Sequence, residues 1–94
     1  MDQQQLERSL RSIGKECFIK YYEYFINPKY SNSDLVALLM RKEGYTESGS
    51  RTRVTQTRRI INENKIKEAL NMVIESSKLN GSTRVKATKL LSEI

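Results

Sequence analysis

The stretch 50–62 reads Ser50-Arg51-Thr52-Arg53-Val54-Thr55-Gln56-Thr57-Arg58-Arg59-Ile60-Ile61-Asn62. Wound as a helix at about 100° per residue, it brings Val54, Thr57, Ile60 and Ile61 within about 120° of arc. An arc that narrow faces a core. Opposite lie Arg51, Thr55, Arg58, Arg59 and Asn62, three long cations and two small polar groups. Arg53 sits beside Ile60 at the edge of the inward arc. It reads as a structural arginine, its stem on the core and its head on a carboxylate or helix carbonyl.

Outward from this segment, the same period recurs. Leu6, Leu10, Ile13, Cys17 and Tyr21 follow spacings of four, three, four and four, one stripe of an amphipathic helix. Gly14 interrupts that stripe and marks a kink or break. From Phe18 to Ile26 apolar and aromatic residues go nearly all round, which predicts a buried central helix. Asn27-Pro28 ends it, because the residue before proline is pushed out of the helical region. The N-terminal segment is therefore expected to be helical over about 3–26, as one long helix or two short ones.

A second helix is expected over 33–43, capped by Ser31 or Ser33, with Leu35, Leu38 and Leu39 inward and Gly44 as its left-handed stop. Ser48 or Ser50 is expected to cap the third, over 50–62. A fourth over 64–78 carries Ile66, Ala69, Leu70 and Val73, after a weak break at Asn62-Glu63-Asn64. Asn80-Gly81-Ser82 is a clear break, read as a glycine stop and a serine cap. A fifth helix over 82–93 places Ala87, Leu90, Leu91 and Ile94 on one face. No segment sustains the period-two alternation of a strand. The 94 residues with 4 Gly and 1 Pro thus predict one all-α domain over 1–94, a compact bundle of four to five helices around an aromatic-rich N-terminal helix.

Every aromatic residue lies at or before Tyr45. Phe18, Tyr21, Tyr24, Phe25 and Tyr30 are expected in the core, and Tyr22, on another side of the helix from Tyr21 and Phe25, nearer the surface. Thr52-Arg53-Val54 recurs as Thr83-Arg84-Val85. We read this as shared helix-start chemistry and not as a duplicated hairpin.

Charge is distributed unevenly. Residues 1–47 hold seven Lys/Arg and seven Asp/Glu, so the whole net charge of +6 resides in 48–94. Between Glu47 and Glu63 there are four arginines and no carboxylate. Such a cluster repels itself and usually has an anionic partner or a structural use. Arginine forks fit phosphate oxygens or guanine edges, and Thr and Asn reach phosphates and adenines. The leading expectation is a small cytoplasmic module that binds DNA or RNA through the helix 50–62. Its candidate contacts are Arg51, Thr55, Arg58, Arg59, Asn62, Lys65, Lys86 and Lys89. The alternative is a protein-interaction or self-associating module, docking an acidic protein partner without nucleic acid.

A helix-turn-helix reading of 35–62 fits poorly. The apparent turn, 44–49, exceeds the usual 3–4 residues, and Glu43, Ser50 and Arg53 fall where that motif wants apolar side chains. Enzymatic chemistry is not expected. There is no histidine and one cysteine, so Ser-His and Cys-His nucleophile pairs and the usual zinc sites are excluded. No glycine loop for phosphate precedes a Lys-Ser/Thr pair, and no cofactor is implied. Cys17 reads as a buried, reduced thiol. Membrane association is disfavoured, because the basic helix offers only Val54, Ile60 and Ile61 for insertion.

Overall fold

In the computed structural model, which describes residues Met1–Ile94, the chain forms seven α-helices and no strand. They are α1 (Gln3–Ile13), α2 (Lys15–Lys20), α3 (Tyr22–Ile26), α4 (Asn32–Glu43), α5 (Glu47–Asn62), α6 (Ile66–Glu75) and α7 (Gly81–Ser92). The all-α expectation holds. The helix count is higher than expected because the N-terminal segment breaks twice. Gly14 adopts φ 86° and ψ 121°, a region that is costly for any residue with a Cβ. Tyr21 takes φ −108° and ψ 18°, and the helical phase restarts at Tyr22.

That restart explains one failed expectation. Tyr22 is buried at 4% exposure and meets Phe18 edge to face, with ring centroids 6.0 Å apart. Tyr24 is the residue turned outward, at 40% exposure. A continuous helical wheel across residue 21 assigns both side chains to the wrong side.

Helix ends follow their local chemistry. Asp2 caps α1 and Ser31 caps α4, each in a reciprocal capping box. Gly44 stops α4 in the left-handed region. The helix α5 begins earlier than expected, because Thr46 Oγ1 accepts the Gly49 N–H at 3.0 Å. Ser48 and Ser50 lie inside it. Its end is a full Schellman motif on Asn64, at φ 59°. The Lys65 N–H donates to Ile60 O and the Asn64 N–H to Ile61 O, both at 3.0 Å. Asn80, not Ser82, caps α7, its Oδ1 accepting the Thr83 N–H at 2.8 Å.

Eighteen buried apolar residues form one core cluster drawn from all seven helices. The helix at its centre is α5, which packs against α1, α3, α4 and α6. The aromatic segment 18–25 joins the same cluster and supplies its largest fully buried side chains, Phe18 and Phe25. The inward arc of α5 is Ser50, Val54, Thr57 and Ile60, all at or below 1% exposure, and short side chains let neighbouring helices approach closely. The buried Thr57 hydroxyl donates to Arg53 O within its own helix at 2.8 Å. A second hairpin, α6–α7, closes the core, with α7 on α2 and α6 on α1.

Thr52-Arg53-Val54 and Thr83-Arg84-Val85 do not occupy equivalent places. Val54 is 1% exposed and Val85 is 70% exposed. The first triplet starts at the sixth residue of α5 and the second at the third residue of α7.

Candidate nucleic-acid interface on α5

The turn between α4 and α5 is three residues, Gly44–Thr46, the length a helix-turn-helix requires. The helices nevertheless run back alongside each other. The 12 residues of α4 rise about 18 Å, and Glu47 to Arg58 return about 16 Å. At that point Arg58 Nη2 donates to Tyr30 O at 2.7 Å and to Asn27 O at 3.4 Å, both just before α4 begins. Helices held at about 90–120° would leave those groups beyond the reach of a side chain. The pair is an αα-hairpin.

This geometry removes Arg58 from the candidate surface. It was expected on the outer face; it is half-buried and holds the Asn27–Tyr30 turn against α5. Arg53 behaves as expected of a structural arginine. Its guanidinium lies 3.9 Å from the Tyr45 ring centroid and its Nη1 donates to Gly49 O at 3.3 Å.

The remaining candidates divide. Arg51, Thr55, Arg59 and Asn62 are exposed on α5 and fall on one strip of about 80°. Ser48 and Thr52 are exposed on the same strip. Ser48 was missed because the helix was expected to begin after it, whereas Thr52, about 20° from Arg59 on the wheel, was legible and left out. Thr46-Glu47-Ser48-Gly49 was the available signal: a cap with a free amide three residues on, and Glu47 one helical turn before Arg51. Lys65 follows the end of α5 and pairs with Glu68 at 3.5 Å. Lys86 lies on α7, where it pairs with Glu23 at 3.0 Å. Lys89, exposed on α7, has no ion-pair partner. No single cationic stripe joins α7 to α5.

The two strip arginines are also paired. Arg51 Nη2 meets Glu47 Oε1 at 2.9 Å, and Arg59 Nε meets Glu63 Oε2 at 2.9 Å. Glu63 accepts from the Met1 amino group as well, at 2.9 Å, and that amino group, then Arg59, hold its carboxyl below the ordinary carboxylate range. The four side-chain charges of the strip cancel. Both arginines are more than half exposed, and such i,i+4 pairs contribute only about 0.3–0.5 kcal/mol. They are exchangeable. A guanidinium fork on a guanine edge contributes about 1–3 kcal/mol of discrimination, which outweighs them.

Beside the strip, α4 and α5 enclose an open groove of about 410 Å³ whose lining includes Val36, Ala37, Met40, Arg51 and Thr55. Met40 is 41% exposed there. No helix is long and apolar enough to cross a membrane. Comparison with known protein families, curated proteins and solved structures finds no significant match to this chain.

Proposed function

We propose that this chain is a small helical nucleic-acid-binding module that uses the outer strip of α5. One observation carries the reading: Ser48, Arg51, Thr52, Thr55, Arg59 and Asn62 share one exposed strip of a helix whose opposite face is fixed in the core. A rigid element presenting hydroxyl, amide and guanidinium groups in register suits recognition of phosphates and base edges. Arg58, Lys65, Lys86 and Lys89 are not part of it. Only two cations remain at the strip, so log affinity on duplex DNA should fall with log salt at a slope of about −1.8.

The test is fluorescence anisotropy against mixed DNA and RNA at low and high salt. Micromolar binding lost in Arg51→Ala/Arg59→Ala supports the reading. No binding at low salt to any nucleic acid refutes it.

A second reading, docking of a protein partner, is favoured by the half-exposed Met40 in the α4–α5 groove, with Arg51 at hand for a carboxylate. Interface cores are enriched in Met and Arg. Retained nucleic-acid binding in Met40→Glu, with loss in Arg59→Glu, separates the strip from the groove.

A further inference from the structure

We propose that the nucleic acid recognised by α5 is duplex DNA, entered through the major groove, with Arg51 and Arg59 reading G·C pairs. This inference rests on the nucleic-acid reading above and narrows its partner class. Three features of the strip select the duplex.

The first is shape. A helix with its side chains is about 10–12 Å across, and the B-form major groove is about 12 Å wide. Between Arg51 and Arg59 the strip carries only the short side chains of Thr52 and Thr55, so the helix backbone can approach the groove floor. A-form RNA has a major groove too deep and narrow to admit a helix.

The second is the absence of a stacking platform on the strip. Single strands are held chiefly by bases stacked on aromatic rings. Tyr45 is covered by Arg53, 3.9 Å from its centroid. Tyr24, the exposed aromatic, belongs to α3 and pairs with Tyr30 at 5.5 Å. Neither ring is on the outer strip of α5.

The third is the direction of the ion pairs. Arg51 reaches back one turn to Glu47, and Arg59 reaches forward one turn to Glu63. The guanidiniums are thus parted toward the two ends, leaving Thr52 and Thr55 open at the centre. Eight residues separate the arginines along α5, about 12 Å of rise, and with each fork drawn outward toward a carboxylate one turn away the guanidiniums stand about 20 Å apart, which corresponds to about 6 base steps. At each end an arginine fork fits guanine O6 and N7, while a carboxylate accepts from cytosine N4. The Arg51–Glu47 pair supplies both groups within one turn. The two G·C pairs therefore flank a centre of about 6 base steps, within which the threonine methyls meet thymine.

The experiment uses the full chain and four labelled oligonucleotides of equal length at low salt. These are a duplex DNA with G·C pairs spaced as above, an all-A·T duplex DNA, a single-stranded DNA and a duplex RNA. The expected result is binding to the G·C-containing duplex about tenfold or more tighter than to the other three. Arg51→Ala and Arg59→Ala, both at exposed positions, should each reduce that preference about tenfold while the circular dichroism spectrum and melting temperature stay unchanged. Equal or tighter binding to single strands or duplex RNA overturns the inference and leaves the nucleic-acid reading standing. Duplex binding indifferent to G·C content, or unmoved by both substitutions, also overturns it. Binding to none of the four overturns both readings together.

Discussion

Arg58 Nη2 and the carbonyl oxygen of Tyr30 lie 2.7 Å apart although 28 positions separate them in the chain. This contact fastens the turn that precedes α4 to the far end of α5, and so locks the hairpin shut. A half-buried cation that donates to two carbonyls is costly to remove, since hydrogen bonds to charged groups contribute about 1.5–3 kcal/mol. Arg58→Ala is expected to destabilise the fold by about 2 kcal/mol, and Arg58→Lys to recover only part of it, because an ammonium lacks the planar fork. Arg51→Ala should stay within about 0.5 kcal/mol of wild type. Urea unfolding of the three variants checks this, and equal effects at 51 and 58 would contradict the assignment of Arg58 to the fold.

The start of α5 supplies a second expectation. Thr46 Oγ1 holds the Gly49 amide, so Thr46→Ala should cost about 1 kcal/mol. Ser48→Ala should cost little, as its hydroxyl caps nothing. Ser50→Ala is expected to be neutral or stabilising: its Oγ is buried without a hydrogen-bond partner, and deleting such a group relieves a desolvation cost of about 1 kcal/mol. Thermal melts of the three variants would show the order.

Asn64, at φ 59°, closes the Schellman motif. Glycine adopts this conformation without the Cβ clash, whereas other L-residues pay roughly 1–2 kcal/mol. Asn64→Gly should leave stability unchanged or raise it slightly, and Asn64→Val should lower it by about 1–2 kcal/mol. The melting-temperature difference between the two variants is the measurement.

Glu43 links α4 to the N-terminal helices. It accepts from Lys20 Nζ at 2.7 Å and from the Tyr21 hydroxyl. The Lys20 hydrogen bond first, then that of Tyr21, hold its carboxyl below the ordinary carboxylate range. A depressed folded-state value means stability present above the unfolded value of about 4.3 and lost as pH falls through the folded one. Tyr21 shows the opposite case. Burial first, and Glu43 second, push its hydroxyl up to about 12. Its contribution is complete below the unfolded value near 10 and is lost as pH rises from about 10 toward 12. Glu43→Gln should flatten the acid limb of the stability profile below about pH 4.3. Urea midpoints across pH, with tyrosinate absorbance on the alkaline side, test both limbs.

Cys17 is buried, and that burial raises its thiol to about 11. Only the thiolate is an effective nucleophile. Labelling by a thiol reagent at neutral pH should therefore be slow and should follow the opening of the fold. Rates measured along a urea series should track global unfolding, and fast labelling in the native state would show that the α1–α2 junction opens locally.

These features divide between what one helix dictates and what several helices decide together. The all-α class, the Gly44 stop, the serine cap before α4, and the structural use of Arg53 were legible in the sequence. Each rests on contacts within a few residues or on the helical period. The inward arc of α5 was legible in the same way, apart from Ser50, whose hydroxyl disguised a core position. The double break of the N-terminal segment was only half visible, since Gly14 announces itself and Tyr21 does not.

The fate of the basic residues was decided elsewhere. Local charge counting places Arg58 and Arg59 side by side as equals. The tertiary structure buries one against Asn27 and Tyr30 and leaves the other exposed on a strip with Arg51. Lys86 and Lys89 seemed available to the same surface, yet α7 packs on α2 and α6. A sequence records which side chains carry charge and the period on which they lie, because those are local properties. Which charges meet carbonyls, which meet carboxylates and which remain together in solvent depends on how distant helices are brought side by side, and packing alone determines that.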